Sequence, residues 1–252
     1  MAALLGGHLR ARVRTAGARP VGPFLVLLDP DHPGPFHNYA VPAPGARPTL
    51  DEQEELRRVF VGAGRLPRLE YFPAESPEVA GDLARSGFTV EHRARALVLG
   101  PPVPEGPVPD GVTLSVVRPD DEAATVEVLA VAQRAFGEPA PDRADRARLA
   151  AGLAAGAVAV LARARPGGRA LGSARATAPA AGVTEVVGVA VEADARRRGL
   201  GGALAAAAAA AALSAPGCSL AWLVPGDPGA ASAYIRAGFA EGPEALHLRG
   251  PG

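Results

Sequence analysis

One stretch constrains the fold more than any other: VTEVVGVAVEADARRRGLGGALAAAAAAAAL, residues 183 to 213. Its valine-rich start reads as a strand and its end as a helix built almost wholly of alanine. Between them lie Arg196, Arg197, Arg198, Gly199, Gly201 and Gly202. Alanine is the strongest helix former, and its small side chain lets a helix sit close on a sheet. Glycines at the junction let the backbone turn sharply and keep side chains away from the first amides of the helix. Those amides and the helix dipole favour a negative group by about 0.3–1 kcal/mol, and arginines at the mouth add charge-assisted hydrogen bonds. A strand running into an anion seat is therefore predicted.

The kind of anion is narrowed by what the chain lacks. All 26 basic residues are arginine, and 26 acidic residues balance them. Without lysine, the nucleotide-binding pattern GxxxxGK[ST] cannot be made. A dinucleotide fingerprint needs its glycines directly after a strand of a parallel βαβ unit. Here they follow AVAVLARA, ALGSARATA and VTEVVGVAV, joined by the turn signals RPGG and PAAG, which predict an antiparallel meander. Zero net charge, with no basic stripe interleaved with aromatics, argues against a nucleic-acid partner.

Other classes are excluded by the same kind of count. Cys218 is the only cysteine, so no intramolecular disulfide and no CxxC metal knuckle exist, which fits a reducing cytoplasm. His8, His32, His37, His92 and His247 show no metal-binding spacing, so no metal is expected; His37 and His247 remain candidates for an acceptor site. The start MAALLGGHLR lacks a basic segment before its apolar run, and the alanine run is too weakly apolar to favour lipid. Neither a signal peptide nor a membrane span is expected.

Proline density in GPPVPEGPVPDG marks a semi-rigid linker over 101–111, separating domains at 1–100 and 112–252. Beyond it the patterns predict a strand, a helix over 121–136 capped by Asp120, a helix near 142–155 and the meander. The alanine helix, the strand SLAWLV, a helix at 228–236 and the strand EALHLR follow. An internal repeat accompanies this order. LEYFPAESPEVAGDLARSGF (69–88) lies without a gap on LAWLVPGDPGAASAYIRAGF (220–239), and Pro77, Gly87 and Phe88 match Pro228, Gly238 and Phe239.

Two motifs carry a family resemblance. Arg196, Gly199 and Gly201 form RxxGxG after a hydrophobic strand, and Ala230, Tyr234, Gly238 and Phe239 fit NxxAxxxYxxxGF, with Asp227 where Asn is usual. Over about 112–249 the chain resembles the GCN5-related N-acetyltransferase (GNAT) superfamily. The resemblance implies an α/β fold with a mixed, mostly antiparallel twisted sheet flanked by helices, present as two related copies in tandem. It implies acetyl-CoA as co-substrate and a small amine as acceptor, joined by direct attack in a ternary complex. The pyrophosphate would be received by Arg196, Arg197, Arg198, Gly199, Leu200, Gly201 and Gly202. Val189, Ala190 and Val191 would pair with the pantetheine arm, and Asp227 would lie nearby. Tyr234 would protonate the departing thiolate.

Glu185 is the candidate base, because a carboxylate among Val183, Val187 and Val189 is costly unless it has a task. The first copy lacks this apparatus: VPAPGARPTLDEQEEL has prolines for the arginines and no Gly-x-Gly, and Leu83 stands where the second copy has Tyr234. A degenerate N-terminal copy is expected, with one active site in the second half. The alternative is a non-catalytic acyl-CoA-binding sensor or interaction module of the same fold.

Overall fold

The computed structural model describes residues 1–252 apart from Glu105, Pro107 and Pro166. It divides into residues 1–96 with 242–252, and residues 97–241. The first unit opens with α1 (Ala2–Thr15), β1 (Arg19–Val21), β2 (Phe24–Leu27) and β3 (Tyr39–Pro42). It continues with α2 (Leu50–Gly62), β4 (Arg68–Tyr71), α3 (Val79–Ala84) and most of β5 (Thr89–Leu99). Strands β1 to β3 pair antiparallel, and β3 meets β4 in parallel. Phe24, Leu56, Phe60, Leu69 and Leu83 fill the core beneath. Helix α2 closes its own N-terminus. The Glu52 amide donates to the Thr49 hydroxyl at 3.3 Å, and the Thr49 amide donates to the Glu52 carboxylate at 2.8 Å.

The second unit contains β6 (Val112–Val116), α4 (Glu122–Phe136), α5 (Arg143–Ala154), β7 (Val158–Ala164), β8 (Ala170–Ala176) and β9 (Val183–Val191). Then come α6 (Leu200–Leu213), β10 (Leu220–Leu223) and α7 (Pro228–Arg236). The expected meander is present, since β6, β7, β8 and β9 pair antiparallel in sequence order. Strand β10 pairs parallel with β9, and on its other side antiparallel with Leu97–Leu99 at the end of β5. The result is the mixed, mostly antiparallel sheet flanked by helices that the sequence predicted.

Alternation along β7 sorts the two faces. Val160 and Ala162 pack with Leu200, Leu204, Ala205 and Ala208 of α6, whereas Ala159 and Leu161 pack with Val128 of α4 and Leu149 of α5. The alanine helix approaches so closely that a Cβ at Gly172 would lie 2.8 Å from the Leu204 methyl and 2.6 Å from the Ala190 carbonyl.

Three expectations need correction. The chain ends in β11 (Ala240–Arg249), and residues 242–252 belong with the first unit rather than with 112–241. Four register pairs, Leu246↔Tyr71 through Arg249↔Arg68, join this strand antiparallel to β4, a partner that only long-range pairing chooses. Helix α4 is capped by Asp121, whose carboxylate accepts from the Ala124 amide at 2.9 Å; Asp120 instead pairs with Arg118. The proline-rich segment, expected as a semi-rigid linker between domains, falls within the second unit. Its Val103, Pro104, Gly106 and Val108 line a shallow depression of about 350 Å³ together with Leu114 and Ala203, Ala206, Ala207 and Ala210.

The repeated segments adopt the same order of elements. Strands β4 and β10, helices α3 and α7, and the starts of β5 at Thr89 and β11 at Ala240 follow one another in the aligned stretches.

Candidate active site

Strand β9 is paired on both sides only at its beginning. Its parallel register with β10 covers Val183↔Leu220, Thr184↔Ala221 and Glu185↔Trp222, after which β9 runs on to Val191. Strand β10 cannot follow, because Pro225 lacks an amide donor and the chain turns at Asp227 into α7. Among the described pairings, Val189, Ala190 and Val191 therefore keep one open backbone edge, against which an extended ligand carrying amides can lie. A register shift between Ser173 and Arg175, opposite Gly188 with φ +59°, bends the strand at this point.

The turn after Val191 is folded by two left-handed residues, Arg197 (φ 60°) and Gly199 (φ 83°). Gly199 is the N-cap of α6 and offers no side chain, so the first amides of the helix, from Leu200, Gly201 and Gly202, have no side-chain cap. The contrast with α2, sealed by its own Glu52, is physical: one helix start holds a carboxylate, the other is open to an outside anion.

The three arginines and the glycines do not share one task. Arg196 donates to the Val191 carbonyl through Nε and to the Ala135 carbonyl through Nη2, both at 3.0 Å. It thereby ties the turn to the end of α4, as does the Arg134–Glu192 ion pair. Arg198 makes a long contact of 3.4 Å with the Asp110 carbonyl. Arg197 is exposed and has no ion pair or hydrogen bond among the described residues, which leaves its guanidinium available to a ligand. Gly202 is buried against α7: a Cβ there would lie 2.7 Å from the Ala233 carbonyl oxygen. At Gly201 the nearest atom to such a Cβ is a Val191 methyl at 3.9 Å, so packing alone does not require glycine.

Tyr234 and Glu185 lie on opposite faces of the sheet. Tyr234 is 9% exposed within the core on the α6 side, its ring 6.1 Å from that of Phe239. Its hydroxyl has no hydrogen-bond partner among the described residues. Burial, with a further push from the negative Asp227, raises its pKa to about 12. Such a phenol keeps its proton and acts as a donor. Asp227 caps α7 by accepting from the Ala230 amide at 2.9 Å. That is the work an Asn would do at this position, so the departure from the motif preserves the helix start.

Glu185, 7% exposed, follows a different register argument. Ser173, opposite Ala190, donates its hydroxyl to the Val128 carbonyl of α4, and Arg175 is opposite both Val187 and the α4-side residue Ala159. Directly opposed residues share a face, so Val187 and Glu185 face the α4 side. Its backbone is held by Thr177, which accepts from the Glu185 amide at 3.0 Å. Sequence reasoning overlooked Arg175 on the same face. Its only signal was a single charged residue inside the strand Ala170–Ala176.

Cys218 is buried and free, and burial pushes its thiol up. Among the described residues no group of three or more His, Cys, Asp or Glu is placed to hold a metal ion. Among the described residues no helix is long and apolar enough to cross a membrane. His37 and His247 lie in the first unit.

Comparison with known proteins agrees with this geometry. Residues 125–239 match the acetyltransferase (GNAT) family. Among solved structures the chain is similar to a GCN5-related N-acetyltransferase from Kribbella flavida, at 32% identity over 100% of this chain and 96% of that one, with a TM-score of 0.79. In fold it is also similar to a GCN5-related N-acetyltransferase from Sphaerobacter thermophilus, at 19% identity over 85% of this chain and 73% of that one, TM-score 0.63. A tandem GNAT protein from the clavulanic acid biosynthesis pathway gives 17% identity, coverage of 94% and 81%, and a TM-score of 0.60. No curated protein matches the sequence significantly. Likeness to the Kribbella protein along the whole length, joined to the open strand edge and uncapped helix of the second unit, means that this chain belongs to the GCN5-related N-acetyltransferase family, which typically uses acetyl-CoA.

Proposed function

We propose that the protein transfers the acetyl group of acetyl-CoA to the amine of a small acceptor by direct attack in a ternary complex. The observation that carries this reading is the continuity of β9 into α6: an unpaired strand edge at Val189–Val191 leads straight to helix amides with no side-chain cap. The residues fit the group, an amide-bearing arm ending in a pyrophosphate. Val189 and Val191 offer backbone partners to the arm. Leu200, Gly201 and Gly202 offer amides to the phosphates, assisted by Arg197. When bound, acetyl-CoA supplies an activated acetyl carbon that forms a C–N bond with the amine as its C–S bond breaks.

Glu185 takes the proton that the attacking amine loses. Tyr234 donates a hydrogen bond to the sulfur as negative charge develops there. With its own pKa near 12 against about 8.5 for a thiol, it stabilises the thiolate more than it transfers a proton outright, and solvent completes the protonation. The first unit, with α2 sealed by Thr49 and Glu52 and with Leu83 in place of the tyrosine, supports the fold without a second transfer site. Work in the cytoplasm fits the single free cysteine.

Thiol release from acetyl-CoA over a panel of small amines tests the reading. Turnover on at least one acceptor supports it, coenzyme A binding without turnover on any points to a sensor, and no binding removes both. Two neighbouring glycines give a sharper check. Gly201→Ala is expected to leave the melting temperature unchanged and to raise KM for acetyl-CoA roughly tenfold, as the methyl obstructs a charge-assisted hydrogen bond. Gly202→Ala is expected to destabilise the fold by about 1–3 kcal/mol by forcing α6 from α7. Equal effects of the two on melting and on KM would refute this division of labour.

A further inference from the structure

Arg175 sits in the middle of the sheet of the second unit, on β8 between Ala159 of β7 and Val187 of β9. An arginine there must be surrounded by protein, and it is, although its side chain keeps some contact with solvent. A group so deep and still accessible is reached by solvent rather than sealed in the core. The guanidinium lies over Gly188, where a Cβ would be 2.9 Å from Nη2 and 3.2 Å from Nε. Glycine at the strand bulge thus makes room for it.

No ion pair or hydrogen bond to Arg175 is present among the described residues. Burial lowers its proton affinity, opposed only by the more distant charges of Glu138 and Asp145. Neither satisfies it. The Asp145 carboxylate accepts from the Asp142 amide and from Gln133 Nε2, each at 3.1 Å, and Glu138 is exposed. A guanidinium set into the middle of a sheet without a protein acceptor leaves its five donors to water or to a ligand. Planar bidentate recognition of carboxylate or phosphate is what this group does best.

We infer that Arg175 receives an anionic group, carboxylate or phosphate, of the amine acceptor. The inference rests on the reading of Glu185 as the base. Arg175 and Glu185 share the α4 face, and Arg175 lies opposite Val187, two residues along β9 from Glu185. Their backbones are therefore diagonal cross-strand neighbours, separated by about 8 Å. A base for the amine and a cation for an acid group at that spacing select a compact acceptor carrying both functions, and α4 and α5 flank the same face.

The test is calorimetric titration of the full-length protein with glycine, β-alanine, O-phosphoethanolamine and ethylamine, with and without saturating coenzyme A. At least one anionic amine is expected to bind about 10–100-fold more tightly than ethylamine, the first two reporting a carboxylate site and the third a phosphate site. Arg175→Met should erase that preference, and Arg175→Lys should retain part of it, with coenzyme A affinity unchanged in both and the melting temperature of Arg175→Met equal or higher. Ethylamine binding as tightly as the anionic amines overturns the inference, as does failure of every amine to bind or an equal loss for all amines in Arg175→Met. Failure of coenzyme A to bind would instead remove the acetyl-transfer reading, while the coenzyme-free titrations still decide the role of Arg175.

Discussion

Tyr234→Phe is expected to lower kcat about 100-fold or more while KM for acetyl-CoA changes less than about twofold, since donation to the leaving group acts only as the C–S bond breaks. The structural setting makes the result unusually clean. The hydroxyl has no partner among the described residues, so removing it breaks no hydrogen bond of the fold. Melting temperature should be equal or slightly higher in the variant, so lost turnover cannot be ascribed to unfolding. Because the pKa is raised to about 12, wild-type Tyr234 holds its proton at all lower pH. It should contribute no alkaline fall in kcat before that point. Equal turnover in variant and wild type would sink the role.

Glu185→Gln is expected to cost a similar factor of about 100 in kcat/KM for the amine. The amide keeps the shape and the backbone bond to Thr177 but cannot accept the proton of the attacking amine. The loss should lie in kcat, with KM for the amine changed much less. Coenzyme A affinity should not change, because Glu185 faces the α4 side. If Glu185→Gln lowers the melting temperature sharply and leaves kcat/KM for the amine intact, the residue is a structural part of β9.

The two halves of the proposed mechanism differ in how they were visible. Tyr234 and the open helix start were legible because they depend on neighbours in the chain. A tyrosine is placed by the helix that carries it, and an anion seat by the few residues between a strand and a helix. The same locality explains why the meander and the helix at 228–236 were readable from turn signals and periodicity. Asp121 displaced Asp120 as the cap of α4 by a single residue, a distinction set by backbone angles that two adjacent aspartates do not announce. Arg196 has a task that its motif does not announce: besides the phosphate role that RxxGxG suggested, its guanidinium holds the Val191 and Ala135 carbonyls. Glycines carry the same ambiguity, and only the approach of α7 shows that Gly202 is demanded by packing.

Local chemistry thus settled the strand, the arginine- and glycine-rich turn, the alanine helix and the tyrosine helix, since caps, propensities and turns act over a few residues. Tertiary structure alone decided where β9 loses its neighbour, which backbone groups Arg196 holds, that β11 pairs with β4, and that Arg175 shares a face with Glu185. Each of these depends on strand register and on the packing of helices against the sheet. Such choices are made between segments far apart in the chain, by hydrogen-bond pairing and burial that no short pattern encodes.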